Sequence, residues 1–241
     1  TVDAARFDFA QPDTFAPAYA GVKRMFLLRP PAISDVKRYL FPAIDAAQAS
    51  GVEHIVFLSL LGVENNRVVP HYKVEKYLES CGVAYTFVRP SFFMQNLNTT
   101  HRSEIRDESE ICVPVGRGKT SFIDARDIGA VAALALAEDG HTNRAYELTG
   151  SEALDYYEVA AIFSDVLGRP ITYANPSILR FVRAQRRKGA PLKFALVMIG
   201  LYTSTRFGMA KTITNEVERL LGRPPITLRQ YVQDYRECWI A

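Results

Sequence analysis

The chain alternates apolar runs of strand length with segments whose apolar residues recur at three and four positions, the two periods that separate a buried strand from a helix packed on one face. Residues 24–28 form such a run, stopped by Pro30 and Pro31. Beyond them Ile33, Val36, Leu40, Ile44 and Ala47 fall on one helical stripe, with Ser34 or Asp35 to cap it and Gly51 to end it. Residues 54–58 and 83–88 read as two further buried strands, and between them Pro70 opens a helix over 71–80 that Gly82 stops. Ahead of this series the pattern predicts a short strand over residues 6–9 and a short helix over 13–20, with Asp13 or Thr14 at its start and Gly21 past its end.

Further along, residues 121–123 and 145–148 read as strands, and residues 125–137 and 156–167 as helices. Asp124 and Asp127 sit at the start of the first of these helices, and Gly168 ends the second. Asn96, Asn98 and Thr99 predict a helix start after the aromatic pair Phe92-Phe93. The last seventy or so residues read as helices over 178–187, 192–202, 212–221 and 228–239. Strand–helix alternation of this kind implies an α/β fold with a parallel sheet covered on both faces. The expected division is an α/β core over residues 1–150 and a dependent, mainly helical subdomain over 151–241, with no repeat or low-complexity linker between them.

Charge narrows the functions little. The 29 Lys and Arg against 26 Asp and Glu leave a formal net charge of +3, too small and too dispersed for a nucleic-acid stripe. Only Arg180, Arg183, Arg186, Arg187 and Lys188 cluster. Their helical spacing reads first as a solvated face and second as a contact for phosphates or acidic partners. Cys81, Cys112 and Cys238 are far apart and form no CxxC, so neither a disulfide framework nor a metal site is expected, and a reducing cytoplasm is the expected setting. The longest apolar run, residues 194–202, falls short of the ~20 residues of a spanning helix, so no membrane partner is expected.

The segment Val83-Ala84-Tyr85-Thr86-Phe87-Val88-Arg89-Pro90, followed by Phe92-Phe93-Met94-Gln95-Asn96, resembles the core signature of the NmrA-like family of atypical short-chain dehydrogenases/reductases. Three other blocks agree in order and spacing: residues 51–62, ending Leu58-Ser59-Leu60-Leu61-Gly62; Phe122-Ile123-Asp124-Ala125-Arg126-Asp127-Ile128; and Tyr146-Glu147-Leu148-Thr149-Gly150. The resemblance implies a Rossmann-type doubly wound parallel sheet that holds NADP, with NAD as the alternative, and a helical C-terminal part on the substrate side. The family's fold opens with a strand, a GxxGxxG turn and a helix that hold the pyrophosphate. No such cluster occurs here, and the chain opens at Thr1 on sequence that resembles mid-domain sequence. The expectation is that an upstream βαβ unit has been lost, with a shortened paralogue as the alternative. The close pair in Gly116-Arg117-Gly118-Lys119 precedes a strand and reads as a hairpin turn.

Ligands of open α/β sheets bind beyond the carboxyl ends of strands, which selects Asp8 and Phe9, Leu28 to Pro30, Ser59 to Leu61, and Pro90 to Phe93. By resemblance, Asp8 and Phe9 would lie near the adenine. Leu28, Arg29 and Pro30 would lie near the cofactor's middle, Ser59 and Leu60 along it, and His71, Ser91, Phe92 and Phe93 beside the nicotinamide. For Asp8 a plain turn or cap role is the alternative. Tyr72 and Lys76 have the one-turn spacing of the wider superfamily's Tyr–Lys pair, with Ser59 as a carbonyl-polarising partner.

Aligned on the NmrA-like pattern through Glu75, however, the place where many members carry an active-site Lys holds His71. Glu75 at i+4 could then hydrogen-bond the ring. A subset of the family resembling NADPH:quinone oxidoreductases also has His there. Phe92, Phe93, Met94, Tyr202, Phe207 and Met209 could line an apolar pocket for a flat substrate, or be plain core. The resemblance thus implies an NAD(P)H-dependent oxidoreductase passing hydride to a quinone or other carbonyl-like small molecule, and a homodimer is compatible with it. The alternative is a non-catalytic dinucleotide sensor with a protein partner.

Overall fold

The computed structural model describes residues 3–187 and 189–240, the side chain of Lys193 excepted, so Lys188 of the basic cluster lies outside the described residues. Two compact units emerge. One comprises the chain up to Pro90 together with Ile128–Leu148, and the other comprises Ser91–Asp127 and the chain from Thr149 on.

The first unit follows the predicted alternation. Helix α1 (Phe15–Tyr19) leads into strand β1 (Arg24–Leu28), helix α2 (Val36–Ala49), strand β2 (His54–Leu58), helix α3 (Pro70–Ser80) and strand β3 (Ala84–Pro90). Asp35 caps α2 by accepting the Arg38 amide at 3.2 Å, and Pro70 starts α3 where its missing N–H costs nothing. Leu40, Ala43, Ile44 and Ala47 of α2 are fully buried against Ile55, Phe57, Val74, Leu78 and Phe87, which is the stripe the spacing predicts.

Chain order then passes through strand β4 (Phe92–Phe93), helix α4 (Arg102–Asp107), β5 (Glu110–Ile111), β6 (Thr120–Ile123), helix α5 (Ala125–Ala137) and β7 (Arg144–Leu148). Strand β7 completes the first unit's sheet, which is parallel throughout in the order β1-β2-β3-β7.

The second unit continues through β8 (Ala153–Leu154), α6 (Tyr156–Leu167), β9 (Thr172–Tyr173), α7 (Ile178–Arg187), α8 (Leu192–Arg206), α9 (Glu216–Leu221) and α10 (Leu228–Asp234). Its strands are short: β6 lies between β4, parallel, and β8, antiparallel. Its own core gathers Phe122, Tyr156, Phe163, Phe181, Tyr231 and Trp239. Asp155 and Glu158 close a reciprocal capping box at the start of α6.

Several expectations need correction. Residues 6–9 form no strand. Phe7 instead stacks on Phe15 at 5.2 Å, and Asp8 closes a turn by accepting the Ala10 amide at 2.9 Å. After Phe93 a 3-10 turn over Met94–Asn96 intervenes before the helix proper at Arg102. Residues 212–215 stay outside α9 because the Thr214 amide donates to the Thr149 hydroxyl at 2.9 Å. The last predicted helix ends at Asp234, and a 3-10 turn, Arg236–Cys238, follows.

The Gly116–Gly118 segment is a turn but not a hairpin, since β5 pairs with β9 and β6 with β4 and β8. Gly118 has a different reason to be glycine: a Cβ there would stand 2.5 Å from the Thr205 carbonyl. Gly150 is tighter still, its Cβ position lying 2.2 Å from the Phe122 carbonyl.

Candidate functional site

In the first unit the register aligns the ends of three strands, with Leu28 beside Leu58 and Leu58 beside Val88. The ladder continues past β2. The Ser59 amide donates to the Val88 carbonyl at 2.8 Å and the Leu61 amide to Pro90 at 3.0 Å. Leu60 closes the turn that follows by accepting the Val63 amide at 3.3 Å. Arg29, Ser59 and Arg89 therefore lie side by side at the carboxyl end of the sheet, each about one strand spacing, ~4.8 Å, from the next.

Helix α3 brings His71 to this end of the sheet. Its ring lies 6.0 Å from that of Phe57, two residues before Ser59 on β2, and the Arg29 Nε donates to His71 Nε2 at 3.4 Å. Because the arginine occupies Nε2 as an acceptor, the imidazole proton belongs on Nδ1. That Nδ1 is buried and has no hydrogen-bond partner, and the Ser59 hydroxyl, also buried, has none either. Burial, followed by the nearby Arg29 charge, pushes the His71 pKa down to about 4. At neutral pH His71 is an uncharged ring offering one N–H.

Other buried atoms without a hydrogen bond exist, namely the Tyr19 and Tyr231 hydroxyls, Asn98 Oδ1 and Asp127 Oδ1, the last of which faces the Arg223 guanidinium as an ion pair at 2.8 Å. Only those of Ser59 and His71 flank the end of β2 and the start of the helix after it.

Arg29 is half-buried, and burial lowers its pKa. Its Nη1 donates to the carbonyls of Pro30 at 2.8 Å and Ile33 at 2.6 Å, which fixes the Pro30-Pro31 loop around it. Phe9 and Leu28 come together in an apolar hollow of about 430 Å³ beside β1, with Phe7, Tyr19 and Met25.

Asp8, half-buried, spends both carboxylate oxygens inside its own turn, on the Ala10 amide and on Gln11 at 3.1 Å. The turn role considered for it is therefore present.

Glu75 does not bond His71. It is buried and takes a two-point contact from Arg89, at 2.7 and 3.0 Å. Arg89 also reaches Glu64 at 3.3 Å. One arginine at the end of β3 thus ties together the loop after β2 and the helix that carries His71. The sequence reading had Glu75 and Arg89 in view but not their pairing, for which a Glu one turn beyond the helix start and an Arg ending the next parallel strand were the available signal.

The Tyr72–Lys76 pair is not assembled as a proton-transfer couple. Lys76 Nζ pairs with Glu79 at 2.6 Å, which raises its pKa, and lies over the Tyr72 ring face, 5.6 Å from its centre, rather than on the hydroxyl. Ser59, with an unpartnered hydroxyl, is not bonded to Tyr72.

Ser91, Phe92 and Phe93 belong to the second unit. The Ser91 hydroxyl donates to the Ser121 carbonyl, and Phe92 packs edge-on against Phe122 at 5.6 Å. The six residues considered as a pocket divide there. Met94 and Tyr202 are buried core, Phe92 and Phe93 are half-buried, and Phe207 and Met209 are exposed.

The same unit holds a buried polar chain that the sequence reading missed, in which His101 bridges Glu104 at 3.1 Å and the Tyr202 hydroxyl at 3.0 Å. The i, i+3 spacing of His101 and Glu104 was its only sequence signal.

The profile of the NmrA-like family matches residues 5–217. The chain belongs to the NmrA-like family. Its sequence is 34% identical to an NAD(P)H azoreductase of Xenophilus azovorans, over all of this chain and 85% of that protein. The NADPH-dependent quinone oxidoreductase of Escherichia coli, solved with NADPH, superposes with a TM-score of 0.86 at 25% identity, covering 96% of this chain and 82% of that one. NmrA itself, a negative transcriptional regulator solved with NADP, gives 0.72 at 18% identity over 92% and 76% of the two chains. The family's Rossmann-like fold is thereby fixed, and both redox enzymes and a regulator share it. Among the described residues no helix is long and apolar enough to cross a membrane, and no group of His, Cys, Asp and Glu could hold a metal.

Proposed function

We propose that this chain is an NAD(P)H-dependent oxidoreductase that reduces a quinone, azo or other flat carbonyl-like acceptor. The observation that carries the reading is the pair of unpartnered buried groups, Ser59 Oγ and His71 Nδ1–H, at the aligned ends of the parallel strands. Buried polar atoms without partners are rare in folded proteins and point to a ligand that completes them. The dinucleotide fits these residues. Leu28, Arg29, Pro30, Ser59, Leu60 and His71 would hold it along the carboxyl end of the sheet, and Phe9 would offer an apolar wall. When bound, such a cofactor supplies a hydride.

His71 cannot serve as an acid in neutral solution, because burial beside Arg29 keeps its pKa near 4. Its part is to donate one hydrogen bond from Nδ1, either to the acceptor's oxygen or nitrogen or to the cofactor's amide. Arg29 holds the tautomer that makes this donation available. The proton that completes reduction comes from water, so the disengaged Lys76 is no obstacle.

The test is loss of NADPH absorbance with a panel of quinones and azo compounds. Turnover, falling roughly 100- to 1000-fold in His71→Ala as one polarising donor is lost, supports the reading. Dinucleotide binding without turnover on any acceptor would favour the second reading, a dinucleotide-sensing regulator, for which the unassembled Tyr72–Lys76 pair and the kinship with NmrA speak.

A further inference from the structure

Between Ser177 and Asn215 the sequence carries eight lysines and arginines and no aspartate or glutamate, although over the rest of the chain acidic residues outnumber basic ones. The same stretch folds as helices α7 and α8 and holds ten of the fifteen large apolar side chains that are exposed among the described residues. Scattered apolar residues on a surface need no explanation, but a concentration of this kind marks an interaction face.

The two helices divide the work. Helix α7 buries Phe181 and Gln185, one turn apart, and turns Arg180, Arg183, Arg186 and Arg187 to solvent. Of these, Arg180 has a loose ion pair with Glu110 at 3.7 Å. Helix α8 buries Ala195 and Tyr202 and leaves Leu192, Leu196, Val197 and Leu201 between 51% and 57% exposed, with Phe207 just beyond its end at 76%. At 100° per residue, Leu192, Leu196, Val197 and Leu201 sweep an arc of about 180° on α8, a broad apolar ridge.

We propose that α7 and α8 form a peripheral docking face for an anionic lipid surface, the ridge of α8 entering the headgroup boundary and the arginines of α7 meeting the lipid phosphates. Basic residues beside a broad apolar face are the composition of helices that lie in a membrane interface. A second copy of the chain is the weaker fit, since it would set eight cations against eight with no acid in the segment to meet them. A folded acidic protein would answer the arginines of α7 but not the half-circle of exposed apolar residues on α8. The expectation of no membrane partner rested on the lack of a spanning segment. That lack does not bear on adsorption, because α8, at fifteen residues, could lie in an interface without crossing it. The proposal stands apart from the redox reading and holds whether or not the chain turns over a substrate.

Sedimentation of the whole chain with vesicles tests it. Equal mixtures of phosphatidylglycerol and phosphatidylcholine should retain the protein in dilute buffer and release it in 0.5 M salt, an ionic strength at which the Debye length falls to about 4 Å. Pure phosphatidylcholine should not retain it. Each basic residue near an anionic surface contributes about fivefold to partitioning, so the double substitution R183Q/R186Q should weaken retention roughly 30-fold, while R183K/R186K should keep most of it. L196E/L201E should abolish retention with circular dichroism unchanged, as both positions are exposed. No retention on anionic vesicles, or equal retention on neutral ones, overturns the proposal. So does a dimer in light scattering that L196E/L201E converts to monomer without any vesicle binding by the parent chain.

Discussion

Two sets of buried polar groups in this molecule are built on opposite terms. In the second unit Asp124 and Asp127 are fully buried and each is paired with an arginine. Asp124 accepts from the Arg126 amide and guanidinium and from Gln95, while Asp127 accepts the Ile226 amide at 2.7 Å and meets the Arg223 guanidinium at 2.8 Å. In the first unit Ser59 and His71 are withdrawn from water and left incomplete. The aspartates hold structure, because each buried carboxylate is met by backbone amides and an arginine. An open pair has no such value to the fold, and under the proposed function it is the dinucleotide or acceptor that completes it.

Breaking the satisfied side should cost most. Gly150→Ala places a methyl 2.2 Å from the Phe122 carbonyl oxygen, backbone against backbone. We expect more than about 4 kcal/mol of destabilisation, seen as loss of soluble protein or of a cooperative melt; a melting temperature within a few degrees of the parent would show that the backbone can yield there. Asp127→Ala comes next. It strands the Ile226 amide and removes the ion-pair partner of Arg223, which is exposed enough to hydrate, for about 3 kcal/mol, or roughly 10 °C in Tm for a chain of this size. Arg89→Ala, which leaves the buried Glu75 uncompensated, should fall in the same range, and its rescue by Lys should be poor because the two-point contact is lost.

The pH dependence of stability isolates the open side. Since His71 titrates near 4 when folded and near 6.5 when unfolded, the unfolded chain takes up the proton first as pH falls. His71 therefore contributes a loss of stability that begins below about pH 6.5 and is complete near pH 4, roughly 3 kcal/mol in all. Denaturant titrations of the parent and His71→Gln across that window should diverge progressively toward low pH. Parallel curves would mean that the ring is not buried against Arg29 in solution.

The repeating fold was legible because it is written in spacing. The helix stripe through Leu40 and Ile44, the cap at Asp35 and the strand ends at Leu58 and Pro90 all stand where periodicity and punctuation put them. The errors share one cause, a local pattern overruled by a distant partner. Phe7 and Phe9 alternate like a strand but find aromatic rings instead of a neighbouring strand. Thr214 leaves the helical path for Thr149, sixty-five residues away, and Glu75 bonds Arg89, fourteen residues on, rather than His71 a turn back. At the site, residue types at strand ends could be named in advance. Which of them are already satisfied by the protein could not, because that depends on contacts such as Ser91 with Ser121 and Lys76 with Glu79.

The smallest effect is the sharpest discriminator. Removing a buried hydroxyl that has a partner costs stability, whereas removing one that has none relieves a desolvation penalty. Ser59→Ala should therefore leave the fold unharmed or stabilise it by up to about 1 kcal/mol, while dinucleotide binding weakens severalfold as the atom that would complete the ligand's hydrogen bonds is lost. Thermal melts with and without NADPH read both quantities in one experiment. The apo melt should stay level or rise, and the shift that saturating NADPH adds should shrink. A lower apo melt would place Ser59 among the satisfied structural groups, beside Asp124 and Asp127, and with it would go the contrast between a polar network that holds the protein together and one that waits for a partner.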